Sequence, residues 1–234
     1  RTVTTPGART CHASLRDCSV SGTVLSARFL CTYTAPPAQL RVGNLTATWH
    51  DATANSLQVA TRLGGAPDWD VARLNADGEN TTNANLVATS TGTVVGAWSS
   101  YNGQGSIHVM TRLKNSASWE NLQVVDENAD GHNTPKLDVN ASGDMVLLWD
   151  SVPHGVVAHE LRAATYHHGD PDWVMAATPL AVFPGSDEAN FSDVAIAPNG
   201  ATTAIWSAAI WSAADTSQVV TRSAAPGSST WGDP

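Results

Sequence analysis

A glycine stands six residues before a tryptophan four times in this chain: Gly43/Trp49, Gly92/Trp98, Gly143/Trp149 and Gly200/Trp206. The glycine-to-glycine steps are 49, 51 and 57 residues. Each tryptophan is followed by a second match, "QVATR" at 58–62, "HVMTR" at 108–112, "RAATY" at 162–166 and "QVVTR" at 218–222. A further tryptophan comes seven residues later in three units (Trp69, Trp119, Trp173) and nine later in the fourth (Trp231). Eight of the nine tryptophans thus fall on two repeat positions, so one supersecondary unit of about fifty residues is used four times.

Each unit reads as four short strands. "NLVATS" at 85–90, "KLDVNA" at 136–141 and "DVAIAP" at 193–198 are first strands, and a glycine turn leads each into "TVVGAW", "DMVLLW" or "ATTAIW". The third strand carries the xTR match, and the fourth starts at the second tryptophan. These runs are rich in Val, Ile, Thr and Trp and are bounded by turn formers. Charged residues make up only 14% of the chain, Gly and Pro together supply 30 residues, and no segment keeps an amphipathic helical spacing. The expectation is an all-β β-propeller of about four recognisable four-stranded blades, near 39–75, 85–125, 135–183 and 191–234. Stacked blades would bury Trp49, Trp98, Trp149 and Trp206 between them. The last unit ends without a fourth strand, and 23–34 ("TVLSARFLCTYT") precedes the first strand one, so this N-terminal strand is expected to close the ring within a 23–234 propeller.

The stretch between strands three and four, as in "TRLGGAPDW", resembles a degenerate Asp-box, the turn of sialidase-type (BNR-like) propeller repeats. The whole unit is similar to repeats of secreted actinobacterial propellers over residues 38–234. The turn's Asp is missing in all four units. A sialidase would need an arginine triad, a Tyr/Glu nucleophile pair and an acidic proton donor. Arg62, Arg112 and Arg222 do recur, but at the ends of third strands, where periodicity assigns them to holding each blade together, with Tyr166 at the same place in unit three.

Alternating strand direction sorts the loops onto two ends. The 4–1 and 2–3 connections share one end and hold the long, variable segments rich in Asp, Glu, Asn and His; short glycine turns and Asp-box-like hairpins occupy the other. Function on a repeat scaffold concentrates on such variable loops. By location, the ligand-binding candidates are Asp77, Glu79, Tyr101, Asp130, His132, Asp187, Glu188 and Trp211. Two copies of one hexapeptide, "NADGEN" at 75–80 and "NADGHN" at 128–133, are expected as the 4–1 loops of successive blades.

Metal chemistry is the minor alternative. Asp126, Asn128, Asp130 and Gly131 match the first half of an EF-hand calcium loop, but Leu137 stands where the bidentate acid belongs. His154, His159, His167 and His168 are close in sequence. About ten strand residues, roughly 33 Å, separate the first from the last pair. No cofactor and no catalytic residue is therefore assigned.

A formal charge of −9 with scattered basic residues argues against nucleic acid as partner. No run is long and apolar enough for a membrane span. Cys11, Cys18 and Cys31 lie near the start, one more than a single disulfide uses, and residues 1–22 read as a Cys-containing N-terminal segment, with the end of an adjoining module as the alternative. The expectation is a secreted, non-catalytic recognition propeller that binds cell-surface glycans in the manner of a lectin, as the targeting part of a larger assembly or toxin. A glycoside hydrolase or lyase on the same loop end, and a protein-binding scaffold, are the alternatives.

Overall fold

The computed structural model describes residues 43–82, 84–132, 135–156, 158–184, 189–210 and 216–233. Residues 1–22 with Cys11 and Cys18, the expected closing strand with Cys31, and Asp187, Glu188 and Trp211 lie outside the described residues, as does the side chain of His132. The architecture is all-β, built from antiparallel sheets. No helix among the described residues is long and apolar enough to cross a membrane.

Unit one supplies β1 (Leu45–Asp51), β2 (Ser56–Arg62) and β3 (Asp70–Arg73). A short β4 (Asn80–Thr81) leads to unit two, with β5 (Asn85–Ala88), β6 (Val94–Tyr101), β7 (Gly105–Arg112) and β8 (Glu120–His132). Unit three holds β9 (Lys136–Val139), β10 (Met145–Pro153), β11 (Ala158–Tyr166), β12 (Val174–Met175) and β13 (Ala181–Pro184). Unit four has β14 (Ala189–Ile196), β15 (Thr202–Ile210) and β16 (Thr216–Ala224). Within a unit, consecutive long strands pair in antiparallel fashion, as in the ladder from Val94↔Arg112 to Tyr101↔Gly105.

The repeating glycine now has a cause. Gly92, Gly143 and Gly200 sit at φ of 91°, 95° and 87°, a left-handed conformation that closes the turn between first and second strands. Each turn makes the same two bonds: Gly92 N to Thr89 O with Thr89 N to Thr93 O, and likewise at 140–144 and 197–201.

Successive units stack face to face. In β10, Met145, Leu147 and Trp149 pack against Val95, Ala97, Ile107 and Val109 of unit two. The alternate residues Val146 and Leu148 pack instead with Val194, Ala204 and Trp206 of unit four. Two-sided burial explains why "MVLLW" is a continuous apolar run rather than an alternating one. Trp98, Trp149 and Trp206 are 1, 1 and 2% exposed. Burying each contributes roughly 4–6 kcal/mol of transfer free energy before entropy is counted. Trp49 departs from the expectation and is only partly buried. It lies on the face of unit one turned away from unit two, because Thr46, of opposite parity on β1, is the residue that Arg112 of unit two reaches.

One expected loop is a strand. β8 runs through "NADGH" to His132, past the expected end of its unit near 125, and its tip leaves unit two to pair with β10: Ser151↔His132, Val152↔Gly131 and Pro153↔Ala129. Backbone pairing to the next unit is what straightens this copy of the hexapeptide. Units two and three are joined by this ladder into one ten-stranded sheet.

Candidate functional site

The loop end of units one to three is organised by a single row of paired backbone positions. Asn80 pairs with Tyr101, Tyr101 with Gly105, Gly105 with Ala129, and Ala129 with Pro153. At about 4.8 Å per strand, the row spans roughly 19 Å. It places the 42%-exposed ring of Tyr101 between the connection that carries Glu79 and the one that carries Asp130.

On one side of the row, the first hexapeptide copy is a turn bonded to itself. Asn75 is buried, and its Oδ1 accepts from Leu57 N at 2.8 Å and Arg73 Nε at 3.1 Å. Its Nδ2 donates to the carbonyls of Ala76 and Glu79, both at 3.1 Å. Glu79 Oε2 accepts from Ala76 N, and Arg73 holds the exposed Asp77 carboxylate.

Behind this turn lies a polar junction between units one and two that the loop reading of the sequence does not reach. His108 is buried and stacks on Trp98, ring centroids 5.5 Å apart and planes 10° from parallel. Its Nε2 lies 2.8 Å from Ser100 Oγ and 2.7 Å from Ser106 Oγ. Burial holds the imidazole pKa below its ordinary value, with the Glu79 carboxylate opposing, so the ring is neutral near pH 7. At the other end of the same junction, buried Arg112 donates to Leu113 O, Ser116 O and Thr46 Oγ1.

On the far side of the row, carboxylates bond across units. Asp126 Oδ2 accepts from Trp149 Nε1 at 2.9 Å. Asp130 meets His154 Nδ1 at 2.6 Å and accepts from Gly155 N at 3.2 Å. The His154 hydrogen bond, then that of Gly155, holds the exposed Asp130 carboxyl below the usual carboxylate range. Within unit three, by contrast, buried Asp150 meets His159 Nδ1 at 2.7 Å. Asp130 is thereby kept ionised and oriented, suited to accepting hydroxyl or amine protons and unsuited to donating one as a general acid.

The calcium loop does not form. Asp126 and Asp130 lie on an extended strand, where residues four apart are about 13 Å distant, and each carboxylate is engaged elsewhere. No group of three or more His, Cys, Asp or Glu among the described residues is placed to hold a metal ion. Nor do the periodic arginines converge. Arg112 is consumed by its own junction, and Arg62 lies 5.5 Å over the Trp69 ring of its own hairpin.

Of the eight expected ligand residues, the structure groups Asp77, Glu79, Tyr101 and Asp130 along the loop end and brings the His132 backbone beside Ser151. Sequence reasoning missed His108, Ser100 and Ser106, which combine a cross-strand contact from Ser100 with one from Ser106 two places along the same strand. It also missed a cavity of about 410 Å³ at the opposite end, between units two and three, lined among others by Thr111, Asn121, Gln123, Tyr166 and Trp173. Its one visible signal was Tyr166, the break in the xTR pattern.

No family model matches the sequence, and no curated protein sequence matches it. Similar solved structures exist nonetheless. An ulvan lyase of polysaccharide lyase family PL25, bound to GlcA(1-4)Rha3S, is 9% identical with a TM-score of 0.56, covering 81% of this chain and 54% of its own. The α-L-arabinofuranosidase Arb93A from Fusarium graminearum, in complex with an iminosugar inhibitor, is 15% identical with a TM-score of 0.51, over 85% of this chain and 61% of its own. A mutant of the NanB sialidase from Streptococcus pneumoniae is 12% identical with a TM-score of 0.48, over 76% of this chain and 28% of its own. This chain thus spans little more than half the length of the first two, and at these identities the likeness is one of fold.

Proposed function

We propose that the chain is a β-propeller of sialidase-like (BNR-type) blades whose loop end recognises carbohydrate, as a secreted, non-catalytic, lectin-like module. One observation carries this: an exposed aromatic ring, Tyr101, stands in the same backbone row as two acidic connections, one of which holds Asp130 ionised between His154 and Gly155. Sugar recognition needs an apolar face for C–H stacking beside oriented acceptors for hydroxyl groups. The acidic surface favours neutral or amine-bearing glycans over anionic ones. Support at the level of fold comes from the ulvan lyase and the arabinofuranosidase, both named for action on carbohydrate.

Those two neighbours also favour a second reading, a glycoside hydrolase or lyase acting at the same end. Glycan-array binding and turnover of chromogenic glycosides and uronate polymers, measured side by side, separate the two. Binding without turnover, weakened about tenfold by Tyr101→Ala and again by Asp130→Asn, is the expected result. Turnover abolished by Asp130→Asn would replace recognition with catalysis. Membership of a larger assembly or toxin belongs to the same proposal, and co-purification with a partner tests it against a protein-binding scaffold.

A further inference from the structure

The repeat breaks once at the end of a third strand: Arg62, Arg112 and Arg222 stand in three units, Tyr166 in unit three. The structure shows what the exchange does. In unit two, Arg112 spans its hairpin, bonding Leu113 O and Ser116 O, and reaches across to Thr46 of the preceding unit. In unit three, Tyr166 turns instead onto Trp173, centroids 5.6 Å apart and planes 43° from parallel. Where the arginine would bridge to unit two, the cavity of about 410 Å³ remains, within the range of small-ligand sites.

Its walls have a definite chemistry. Tyr166 and Trp173 give two aromatic surfaces at an angle, and Val109 and Met145 line it as well. Facing them are the hydroxyl of Thr111 and the amides of Asn121 and Gln123. Asn121 adopts a left-handed φ of 56° within β8, and its Nδ2 donates to Thr111 Oγ1 at 3.3 Å. Gln123 Nε2 donates to Pro171 O at 2.8 Å, which fixes the amide plane and leaves Oε1 as an acceptor. None of the nine lining residues carries a charge.

We propose that this inter-unit cavity, at the end opposite the acidic loops, is a binding site for a neutral sugar ring. Angled aromatic faces and orienting amides match a polyhydroxylated ring with an apolar face, and the uncharged lining gives a uronate or sialate carboxylate no counter-ion. The ligand class rests on the carbohydrate reading; the location does not, since it is remote from Tyr101 and Asp130.

Calorimetric titration with cellotetraose, xylotetraose and arabinotetraose, with tetragalacturonate as the charged control, tests it. At least one neutral tetraose should bind, and tetragalacturonate at least tenfold more weakly. Trp173→Ala and Tyr166→Arg should each weaken the neutral ligand about tenfold or more, whereas Tyr101→Ala should not. Arginine is the resident of that position in the other three units, so Tyr166→Arg is compatible with the hairpin. Should it fail to fold, the exposed Asn121→Ala provides the same readout. Neutral-sugar binding unchanged in these variants but lost in Tyr101→Ala would overturn the cavity site and leave the loop-end proposal standing. Equal affinity for tetragalacturonate would overturn its selectivity, and no binding of any tetraose would overturn the site altogether.

Discussion

The two copies of Asn-Ala-Asp-Gly are chemically the same and structurally different. At 75–78 the chain turns on itself; at 128–131 it runs extended into the next unit. The residue two places earlier differs in charge and in the contacts it makes. Arg73 draws Asp77 back onto its own strand. In the second copy the equivalent residue is Asp126, which would repel Asp130; it bonds Trp149 Nε1 instead, and Asp130 reaches forward to His154 and Gly155. A reversal of charge thus accompanies the difference between a loop closed on itself by Asn75 and a strand held by pairing with the next unit. Motif identity fixes the turn chemistry available, and the surrounding contacts select whether the turn forms.

The largest expected effect comes from removing the anchor of the second copy. Trp149→Ala deletes a fully buried ring along with the donor to Asp126, and should cost about 3–5 kcal/mol in urea unfolding. Asn75→Ala attacks the first copy. It strands the Leu57 amide in a buried site and should cost about 1–3 kcal/mol, leaving the second copy's amide shifts untouched. The smallest effect is His154→Ala, read by NMR titration of the Asp130 carboxyl, whose midpoint should rise toward its ordinary 3.8. The sign is that of a depressed carboxylate: the contact stabilises above that value and is lost as pH falls through the lower folded midpoint. A midpoint unmoved by His154→Ala would sink the account of forward bonding.

Strands were legible in this sequence wherever local chemistry dictated them. Gly92, Gly143 and Gly200 mark turns by a backbone conformation available to them at little cost, and "MVLLW" announces two-sided burial. The extension of β8 was not legible, because "NADGH" has turn composition and is straightened only by pairing with β10. Sorting loops to ends put Asp77, Glu79, Tyr101 and Asp130 at one end of the units, where the row of paired backbone positions also has them. His108 escaped because a histidine on a strand acquires its meaning from Trp98 and Ser100 across the ladder. The cavity escaped for a different reason: Tyr166 was visible as an exception, but its effect is a space, and spaces are not written in any one residue.

The crossing of β8 onto β10 has a consequence for how the molecule comes apart. Stacked repeat units usually couple through side chains alone, so each can open with modest help from its neighbours. Here units two and three also share main-chain ladder hydrogen bonds, whereas among the described residues unit four forms a separate sheet and meets unit three through side-chain packing and side-chain-to-backbone hydrogen bonds. Hydrogen exchange should report this as a boundary: amides of β6 to β11 releasing together in one slow block, those of β14 to β16 in a faster one. The exposed loop end would then rest on the least yielding part of the chain, a foundation that keeps its contact row in register while the flanking unit breathes.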